Sequence, residues 1–319
     1  MPDTHLFCPA CNDFTSDGAA ICPRCGGQAF LPNAGDPRRL QEVLGPAYEV
    51  RGSLGEGTFG VVHEVYDRPL RRTLAVKVLK TPTRDLLDRF GQEAQILAAL
   101  RHPNIVPLHF VGAHGGIAFM VMPKLAGIPL RDGMRRGVEL AQWVTVATQV
   151  ASALDLAHDS GVIHRDIKPE NIFLEHSGLA SVMDFGIAKI VQPNGPLRTS
   201  STVIGTPEYM SPEQIQGVGS IDRRADVYSL GCVVHELTCG SVPFRRGRGS
   251  TQTVLVQQVR DPAPPLRSLR QDVPPRYEAA VLRALSKQPE DRFPTAGAFA
   301  AELREALRTK RPWWRRAGA

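Results

Sequence analysis

The sequence predicts an α+β fold in which strands come first and helices follow, behind a small cysteine-rich module. Four of the six cysteines lie within the first 25 residues. Apolar and β-branched residues flank three glycines between Tyr48 and Val62, and an apolar strand follows at Leu74 to Leu79. Apolar residues recur at helical spacing between Glu139 and Ser160. The composition, 42% hydrophobic and 22% charged, is that of an ordinary globular protein.

The net charge of +6 is concentrated at one end of the chain. Six basic residues and one acidic residue lie between Arg304 and Ala319, so the remainder of the chain is close to neutral. This distribution does not predict a nucleic-acid partner for the fold. The chain has no run of 18 apolar residues, and its N-terminus lacks the pattern of a secretory signal. We therefore expect a soluble, cytoplasmic protein.

Two C-x-x-C pairs, Cys8 with Cys11 and Cys22 with Cys25, predict a tetrahedral site for structural Zn²⁺ within residues 1–31. This module resembles the zinc ribbons of many bacterial proteins. So short a segment buries too little apolar surface to fold alone, so the metal would supply folding free energy. The alternatives are a redox dithiol pair and a chance clustering of cysteines. Arg24 is the one basic residue between the outer cysteines, which favours a protein partner or a structural role over nucleic acid.

Residues 32–46 are rich in proline, glycine and polar residues, and we expect them to form a linker. Cys232 and Cys239 lie in an apolar stretch and are expected in the core rather than at a metal.

The glycines Gly55, Gly57 and Gly60 predict a tight turn between two strands, where backbone amides can approach phosphate oxygens. A dinucleotide-binding fold would place a helix after the last glycine, and a Walker loop would need Gly-Lys-Ser/Thr. The chain has neither feature, because strand-forming residues follow Gly60.

Lys77 interrupts an apolar strand, so its charge requires a partner. The segment from Thr83 to Leu100 has helical periodicity, and Glu93 lies on its apolar stripe. We expect an ion pair between Lys77 and Glu93. The alternative is that Glu93 is a solvated helix residue.

Five ordered motifs identify a family resemblance: Gly55-x-Gly57-x-x-Gly60-x-Val62, Ala75-Val76-Lys77, His164-Arg165-Asp166, Asp184-Phe185-Gly186 and Ser211-Pro212-Glu213. Residues 47–307 resemble a bacterial eukaryotic-type (Hanks-type) serine/threonine protein kinase. The resemblance implies a bilobal fold. A small, mainly antiparallel β lobe with one helix would span 47–122, a mainly helical lobe would span 126–307, and ATP would bind in the cleft.

The resemblance also implies roles for individual residues in phosphoryl transfer. Asp166 would orient the substrate hydroxyl and accept its proton, and Lys168 would offset charge on the moving phosphoryl group. Asn171 and Asp184 would bind Mg²⁺ or Mn²⁺. Lys77, paired with Glu93, would hold the α and β phosphates.

Further positions correspond to the family's nucleotide pocket. Met122 would be the gatekeeper, and Pro123 would offer its carbonyl to adenine where an acidic residue is common. The full set expected at ATP is Leu54, Gly55, Gly57, Gly60, Val62, Ala75, Lys77, Met122, Pro123, Leu125 and Phe173.

Other motif residues resemble structural positions of the family. His164 and Phe185 would pack, Asp226 would anchor the catalytic-loop backbone, and Glu213 would pair with Arg292. Loss of these residues should impair folding before chemistry.

Lys168 and the stretch from Gly205 to Tyr209 favour serine/threonine over tyrosine specificity. Four hydroxyl residues are candidate autophosphorylation sites, with Arg165 placed to receive the phosphate: Thr199, Ser200, Ser201 and Thr202. The alternative is a merely polar loop.

Residues 308–319 form a basic tail around Trp313 and Trp314. We expect a solvated tail, and peripheral contact with anionic lipid is the alternative. Protein substrates are expected, and dimerisation is left open. The rival functions are a pseudokinase scaffold and a nucleic-acid module built on the ribbon. The presence of every expected catalytic residue favours an active kinase over the pseudokinase, and the scarcity of basic residues in the ribbon argues against the nucleic-acid module.

Overall fold

The computed structural model describes most of the chain outside two long segments and several short ones. The described residues are 6–8, 13–15, 21–25, 35–57, 60–79, 98–114, 117–134, 138–185, 206–217, 221–245 and 250–308. They divide into two compact units. The described residues up to His102 and from Val106 to Leu125 belong to a small unit. Pro103–Ile105 and the described residues from Ala126 onward belong to a large one.

The small unit is built on a five-stranded antiparallel sheet with strand order β3-β4-β5-β7-β6. Its strands are β3 (Tyr48–Glu56), β4 (Gly60–Asp67), β5 (Arg72–Leu79), β6 (Phe110–His114) and β7 (Ile117–Pro123). Alternate residues of β4 are buried, as expected where one face of a strand packs on a core. Before this sheet, β1 (Leu6–Cys8) and β2 (Asp13–Thr15) pair as an antiparallel hairpin.

One face of the sheet carries an apolar core that includes a helix outside the expected kinase boundaries. Its buried members are Leu40, Val61, Val65, Leu74, Val76, Val78, Ile117, Phe119 and Val121. Leu40 belongs to helix α1 (Pro37–Leu44) and is 1% exposed. The expectation of a linker over 32–46 is therefore wrong for residues 37–44, because the apolar side of this segment packs on the sheet.

The ends of α1 are fixed by local contacts. The Asp36 carboxylate accepts a hydrogen bond from the Arg38 amide at 2.9 Å, which caps the helix, and Pro37 occupies a first-turn position. The Gln41 amide donates to the carbonyls of Gly45 and Tyr48 at 3.0 and 2.9 Å, and its oxygen accepts from the Val50 amide at 3.0 Å. Gln41 thereby joins the helix to the start of β3.

The large unit is mainly helical, as the sequence predicts. Its helices are α2 (Leu130–Gly133), α3 (Leu140–Asp159), α4 (Pro212–Gln216), α5 (Arg224–Cys239), α6 (Thr251–Arg260), α7 (Pro275–Ala284) and α8 (Ala296–Leu307). Helix α5 is buried throughout from Ala225 to Thr238 and packs against α3, α7 and α8. Cys232 lies within this core, as expected.

A small antiparallel sheet in the large unit positions the catalytic-loop motifs. Its strands are β8 (Gly127–Pro129), β9 (Ile172–Glu175) and β10 (Ala180–Val182), in the order β10-β9-β8. The hairpin of β9 and β10 begins directly after Asn171 and ends two residues before Asp184. Among the described residues, no helix is both long and apolar enough to span a bilayer.

Candidate functional site

Four of the expected nucleotide residues of the small unit share one face of its sheet. Val62 lies opposite Lys77 in the β4–β5 ladder, and Ala75 lies opposite Met122 in the β5–β7 ladder. Because paired residues share a face and alternate residues of a strand do so as well, all four are on the same side. The core with Leu40 occupies the other side. Lys77 is buried, as the sequence predicts.

The glycine turn has a packing requirement at its last position. A Cβ at Gly60 would lie 2.3 Å from the Val78 carbonyl oxygen, so no other residue fits there without moving β5. The Gly57 amide donates to the Gly60 carbonyl at 2.9 Å, which closes the turn. By contrast, a Cβ at Gly55 or Gly57 would have no neighbour within 4 Å. These two glycines therefore leave open space beside the backbone, which suits a phosphate-bearing ligand.

Two of the expected catalytic side chains and one expected metal ligand are in direct contact in the large unit. The Lys168 ammonium lies 2.8 Å from Asp166 Oδ2. The Asn171 amide nitrogen donates to the same oxygen at 3.0 Å and to the Asp166 carbonyl at 2.7 Å. Donors from two directions therefore fix the Asp166 carboxylate. Both N–H donors of the Asn171 side-chain amide are directed at Asp166. The side-chain oxygen of Asn171 therefore remains available as an acceptor.

The hairpin brings the two expected metal ligands close in the backbone. The Met183 amide donates to the Asn171 carbonyl at 3.0 Å, and Asp184 follows Met183. Asp184 has φ of 64°, an uncommon conformation for a residue with a side chain. A carboxylate and an amide oxygen on adjoining backbone segments form a donor set that fits Mg²⁺ or Mn²⁺.

His164 links the catalytic loop to the segment before Asp184. Its Nδ1 accepts from the Asp166 amide at 3.2 Å, and its Nε2 lies 2.8 Å from the Met183 carbonyl oxygen. Both contacts are satisfied when Nε2 carries the proton. The ring packs edge-on against Phe185, with centroids 4.7 Å apart.

Asp226 holds the start of the catalytic loop from within the core. This fully buried carboxylate accepts from the amides of His164 and Arg165, both at 2.8 Å, and contacts His158 Nε2 at 2.7 Å. Burial would raise the pKa of Asp226, but the hydrogen bond with His158 and the contacts with His164 hold that pKa below its ordinary value. The carboxylate therefore stays ionised as an acceptor for the loop.

The expected pair of Glu213 and Arg292 is present with bidentate geometry. Arg292 Nη1 and Nη2 lie 2.7 and 2.8 Å from the two Glu213 oxygens. The pair lies in the large unit, and Arg292 makes its remaining hydrogen bonds with backbone carbonyls. This arrangement agrees with a structural role.

A second polar cluster of the large unit was missed by the sequence reasoning. Arg131 of α2 donates to Glu170 at 2.7 Å, to Glu236 at 2.6 Å and to the Tyr209 hydroxyl. Tyr209 in turn donates to Glu236 at 2.5 Å. Burial raises the pKa of Tyr209, and the neighbouring Glu236 raises it further, so the hydroxyl remains a donor. The residues that these hydrogen bonds join are 27 to 105 positions apart in the sequence. No local spacing in the sequence could therefore predict this cluster.

Three of the four cysteines expected to bind zinc are brought together. The Sγ atoms of Cys8, Cys22 and Cys25 lie within 4.8 Å of one another, and those of Cys8 and Cys25 are 3.4 Å apart. Thiolates on one tetrahedral Zn²⁺ are about 3.8 Å apart, given Zn–S bonds of about 2.3 Å. The three sulfur atoms thus fit a zinc site in which a fourth ligand is still needed.

Several expected residues lie outside the described part of the chain. They are Cys11, Glu93, Thr199, Ser200, Ser201, Thr202, Trp313 and Trp314. The other expected nucleotide residues are distributed between the units: Leu54, Pro123 and Leu125 belong to the small one, and Phe173 lies on β9 of the large one.

Comparison with known proteins gives consistent matches over most of the chain. Residues 48–303 match the family model described as protein kinase domain. The serine/threonine-protein kinase PknB of Mycolicibacterium smegmatis is 40% identical over 271 residues, covering 82% of this chain and 43% of that protein. A probable serine/threonine-protein kinase of Clostridium acetobutylicum is 35% identical over 266 residues, covering 82% of this chain and 40% of that protein. The chain thus matches less than half the length of these relatives.

Solved structures give the same result for the fold. A crystal structure of the Mycobacterium tuberculosis PknI kinase domain, carrying a C20A substitution, is 29% identical with a TM-score of 0.64. That match covers 82% of this chain and 95% of the solved one.

Proposed function

Because this chain belongs to the protein kinase family, we propose that it is an ATP-dependent serine/threonine protein kinase acting on protein substrates. The observation that carries the proposal is the contact set around Asp166, whose carboxylate is held by Lys168 and Asn171 on a loop anchored by Asp226. The names of the matched relatives support serine/threonine specificity. Lys168, two residues after Asp166, supports it as well.

In the proposed reaction, Asp166 orients the substrate hydroxyl and takes its proton as the γ-phosphoryl group is transferred. Such a base contributes about 10²- to 10⁴-fold to the rate. The Lys168 ammonium, 2.8 Å from Asp166 Oδ2, offsets charge on the transferred group. This contact holds the Lys168 ammonium beside the carboxylate that would accept the proton of the substrate hydroxyl.

Asn171 and Asp184 would bind Mg²⁺ or Mn²⁺, and Lys77 would hold the α and β phosphates with Glu93 as its partner. A bound divalent cation neutralises negative charge on the nucleotide phosphates. The glycine turn from Gly55 to Gly60 would present its backbone amides to those phosphates. The same proposal assigns adenine contacts to Leu54, Val62, Ala75, Met122, Pro123, Leu125 and Phe173.

The test is a phosphoryl-transfer assay with labelled ATP and a generic basic protein substrate. Asp166→Ala and Lys77→Met should each lower kcat/KM by about 10²-fold or more while the chain stays folded. Asp272→Ala is the matched control, since this carboxylate is exposed and contacts Arg270 in a different part of the large unit. A wild-type protein that binds nucleotide yet transfers no phosphate would support the pseudokinase alternative instead.

We further propose autophosphorylation within residues 199–202. A phosphate adds nearly two negative charges, and Arg165 next to Asp166 is the proposed acceptor of that charge. Mass spectrometry after incubation with ATP should locate phosphate on this segment in the wild type and none in Asp166→Ala. An active enzyme whose segment 199–202 remains unmodified would contradict this part of the proposal.

The N-terminal module is proposed to bind one structural Zn²⁺ through Cys8, Cys22, Cys25 and Cys11. The clustering of three sulfur atoms supports this assignment. Elemental analysis should give about one zinc per chain, and Cys22→Ser should lower that content strongly. Cys239→Ser is the control, because Cys239 lies in the large unit near the Leu266 carbonyl. Equal zinc contents in the Cys22→Ser and Cys239→Ser proteins would contradict the proposed zinc site.

A cytoplasmic location, a protein partner for the ribbon and a solvated tail complete the proposal. The arginines around Trp313 and Trp314 favour peripheral contact with anionic lipid as the alternative for the tail. Co-sedimentation with phosphatidylserine vesicles at low and high salt separates the two, because only lipid contact gives salt-sensitive pelleting.

A further inference from the structure

Gln214 of α4 is a buried carboxamide that connects two motifs of the large unit. The residue is 1% exposed. The oxygen Oε1 accepts from the Ser211 amide at 3.1 Å and from the Ser211 hydroxyl at 3.0 Å. The nitrogen Nε2 donates to the Arg165 carbonyl at 2.8 Å. Because Ser211 supplies two donors, the amide orientation is fixed, with its N–H group directed at the catalytic loop.

The Arg165 carbonyl belongs to the peptide unit that precedes Asp166. The N–H of the same unit, on Asp166, donates to His164 Nδ1 at 3.2 Å. This peptide plane is therefore held at both ends, by Gln214 on the carbonyl side and by His164 on the amide side. The orientation of the plane, together with φ of Asp166, sets the direction in which the Asp166 side chain leaves the backbone.

The backbone at this point is strained. Arg165 has φ of 65°, in the left-handed region that is unfavourable for a residue with a side chain. Such a conformation persists only where surrounding contacts enforce it. Asp226 holds the Arg165 amide at 2.8 Å, and Gln214 holds the Arg165 carbonyl at 2.8 Å.

Helix α4 is itself anchored on its other side. Glu213, the residue before Gln214, forms the bidentate pair with Arg292. The two neighbouring residues thus have different targets. Glu213 fixes α4 to the segment around Arg292, and Gln214 extends from this anchored helix to the catalytic loop.

We propose that Gln214 is a positioning residue for Asp166, acting through the Arg165 carbonyl. The proposal rests on the kinase activity proposed above. Gln214 touches neither substrate nor nucleotide in this role, so its loss should reduce kcat and leave nucleotide affinity nearly unchanged. A displacement of about 1 Å at a reacting group can reduce the rate about 10²-fold.

The critical variant is Gln214→Glu, with Gln216→Glu as its matched control. The first keeps the acceptor for Ser211 but places a carboxylate oxygen against the Arg165 carbonyl, where no donor remains. The second makes the same chemical change two residues along α4, at an exposed position. We expect kcat to fall about 10- to 100-fold for Gln214→Glu, with KM for ATP and Kd for Mg·ADP within about twofold of wild type. Gln216→Glu should retain wild-type constants.

Hydrogen exchange and a second variant separate positioning from a general loss of structure. Hydrogen exchange of the peptide covering residues 162–171 should be faster in Gln214→Glu and unchanged in Gln216→Glu. Ser211→Ala removes one hydrogen-bond donor to Gln214 and should reduce kcat by a smaller factor, about two- to fivefold. This variant tests the proposal if Gln214→Glu does not fold. Thermal unfolding and Mg·ADP binding measure the fraction of each variant that is folded. Each kcat is then calculated per folded molecule.

The result that would overturn the proposal is a folded Gln214→Glu protein with wild-type kcat and wild-type exchange in residues 162–171. A reduction in kcat accompanied by an equal weakening of Mg·ADP binding would overturn it as well, because it would place the effect at the nucleotide. Wild-type protein without any transferase activity would instead contradict the kinase function itself.

Discussion

Arg292 shows how a single buried charge can be satisfied completely. Its side chain has no solvent exposure, and its N–H groups are directed at both oxygens of Glu213 and at the carbonyls of Arg224, Ser286 and Lys287. An arginine has five N–H donors, and these five contacts use all of them. Removing the guanidinium would leave Glu213 and three carbonyls without these donors.

We predict that Arg292→Met lowers the free energy of unfolding by about 3–5 kcal/mol, the cost typical of breaking a buried ion pair on one side. Urea titration followed by circular dichroism measures the change. The folded fraction should keep its affinity for Mg·ADP, because the hydrogen-bond partners of Arg292 are not among the expected nucleotide residues.

Arg276→Met is the comparison for this prediction. Arg276 pairs with Glu302 at 2.6 Å on the surface, where solvent screens the charges. Its urea midpoint should stay near that of wild type. Similar midpoints for both variants would show that burial of Arg292 does not determine the cost.

At the residue scale, the sequence predicts that residues of one motif lie close together. It does not predict which residues of distant segments are in contact. Asp166, Lys168 and Asn171 lie within six residues, so their convergence follows from the loop itself. The pairing of Glu213 with Arg292 was available through the family resemblance alone. The contacts of Arg131 and Gln214 depend on tertiary packing of distant segments, for which no periodicity or spacing exists in the chain.

At the element scale, α1 extends the small unit beyond the region that matches the family model, which begins at residue 48. Leu40 packs among β-strand residues, and Gln41 hydrogen-bonds the first residues of β3. The helix is therefore part of the sheet's core rather than a connection to it.

We predict that Leu40→Ala lowers the stability of the small unit by about 2–5 kcal/mol, because it removes a fully buried leucine and leaves a cavity. Differential scanning calorimetry with and without Mg·ADP would assign the affected transition. Glu42→Ala, at a position exposed on the same helix, should change the transition little. If Leu40→Ala unfolds like the wild type, the packing of α1 on the sheet is not maintained in solution.

The sequence contained signals for α1 that the linker assignment overlooked. Asp36 followed by Pro37 is a typical helix start, and Gly45 is a typical helix end. Between them, Leu40, Val43 and Leu44 recur at helical spacing. The abundance of proline and glycine in 32–46 obscured this pattern. The order of residues within 32–46 therefore predicts this helix, whereas the overall composition of the segment does not.

At the scale of the whole molecule, buried acidic groups make stability depend on alkaline pH. Burial raises the pKa of Cys232 and of Tyr277 to about 12 and that of Cys239 to about 11, and it also raises the pKa of Tyr209 and Tyr228. Above pH 9 the unfolded chain loses these protons while the folded chain keeps them. Stability is therefore lost as pH rises from about 9 toward 12.

Lys287 acts in the opposite direction over a lower range. Burial lowers the pKa of its ammonium to about 8 from 10.5, although it donates to the Gln258 carbonyl at 2.7 Å and lies 4.3 Å from the Phe244 ring centroid. Between pH 8 and 10.5 the unfolded chain holds the extra proton, so this group makes stability increase with pH.

We therefore predict that the urea midpoint rises from pH 8 to about pH 9 and then falls, more steeply above pH 10, where the tyrosines contribute. The titration is done with a thiol reductant present and zinc in excess. Lys287→Met should abolish the rise below pH 9 and leave the alkaline fall. A monotonic increase up to pH 11 would contradict this account.

The position of Leu40 has a consequence for building chimeric proteins. A cysteine module that ended at residue 31 could be exchanged between kinases like a tag. Here the segment that follows it supplies part of the interior of its neighbour. A functional graft must therefore carry residues through Tyr48, and the recipient sheet must offer a recess that accepts the leucine.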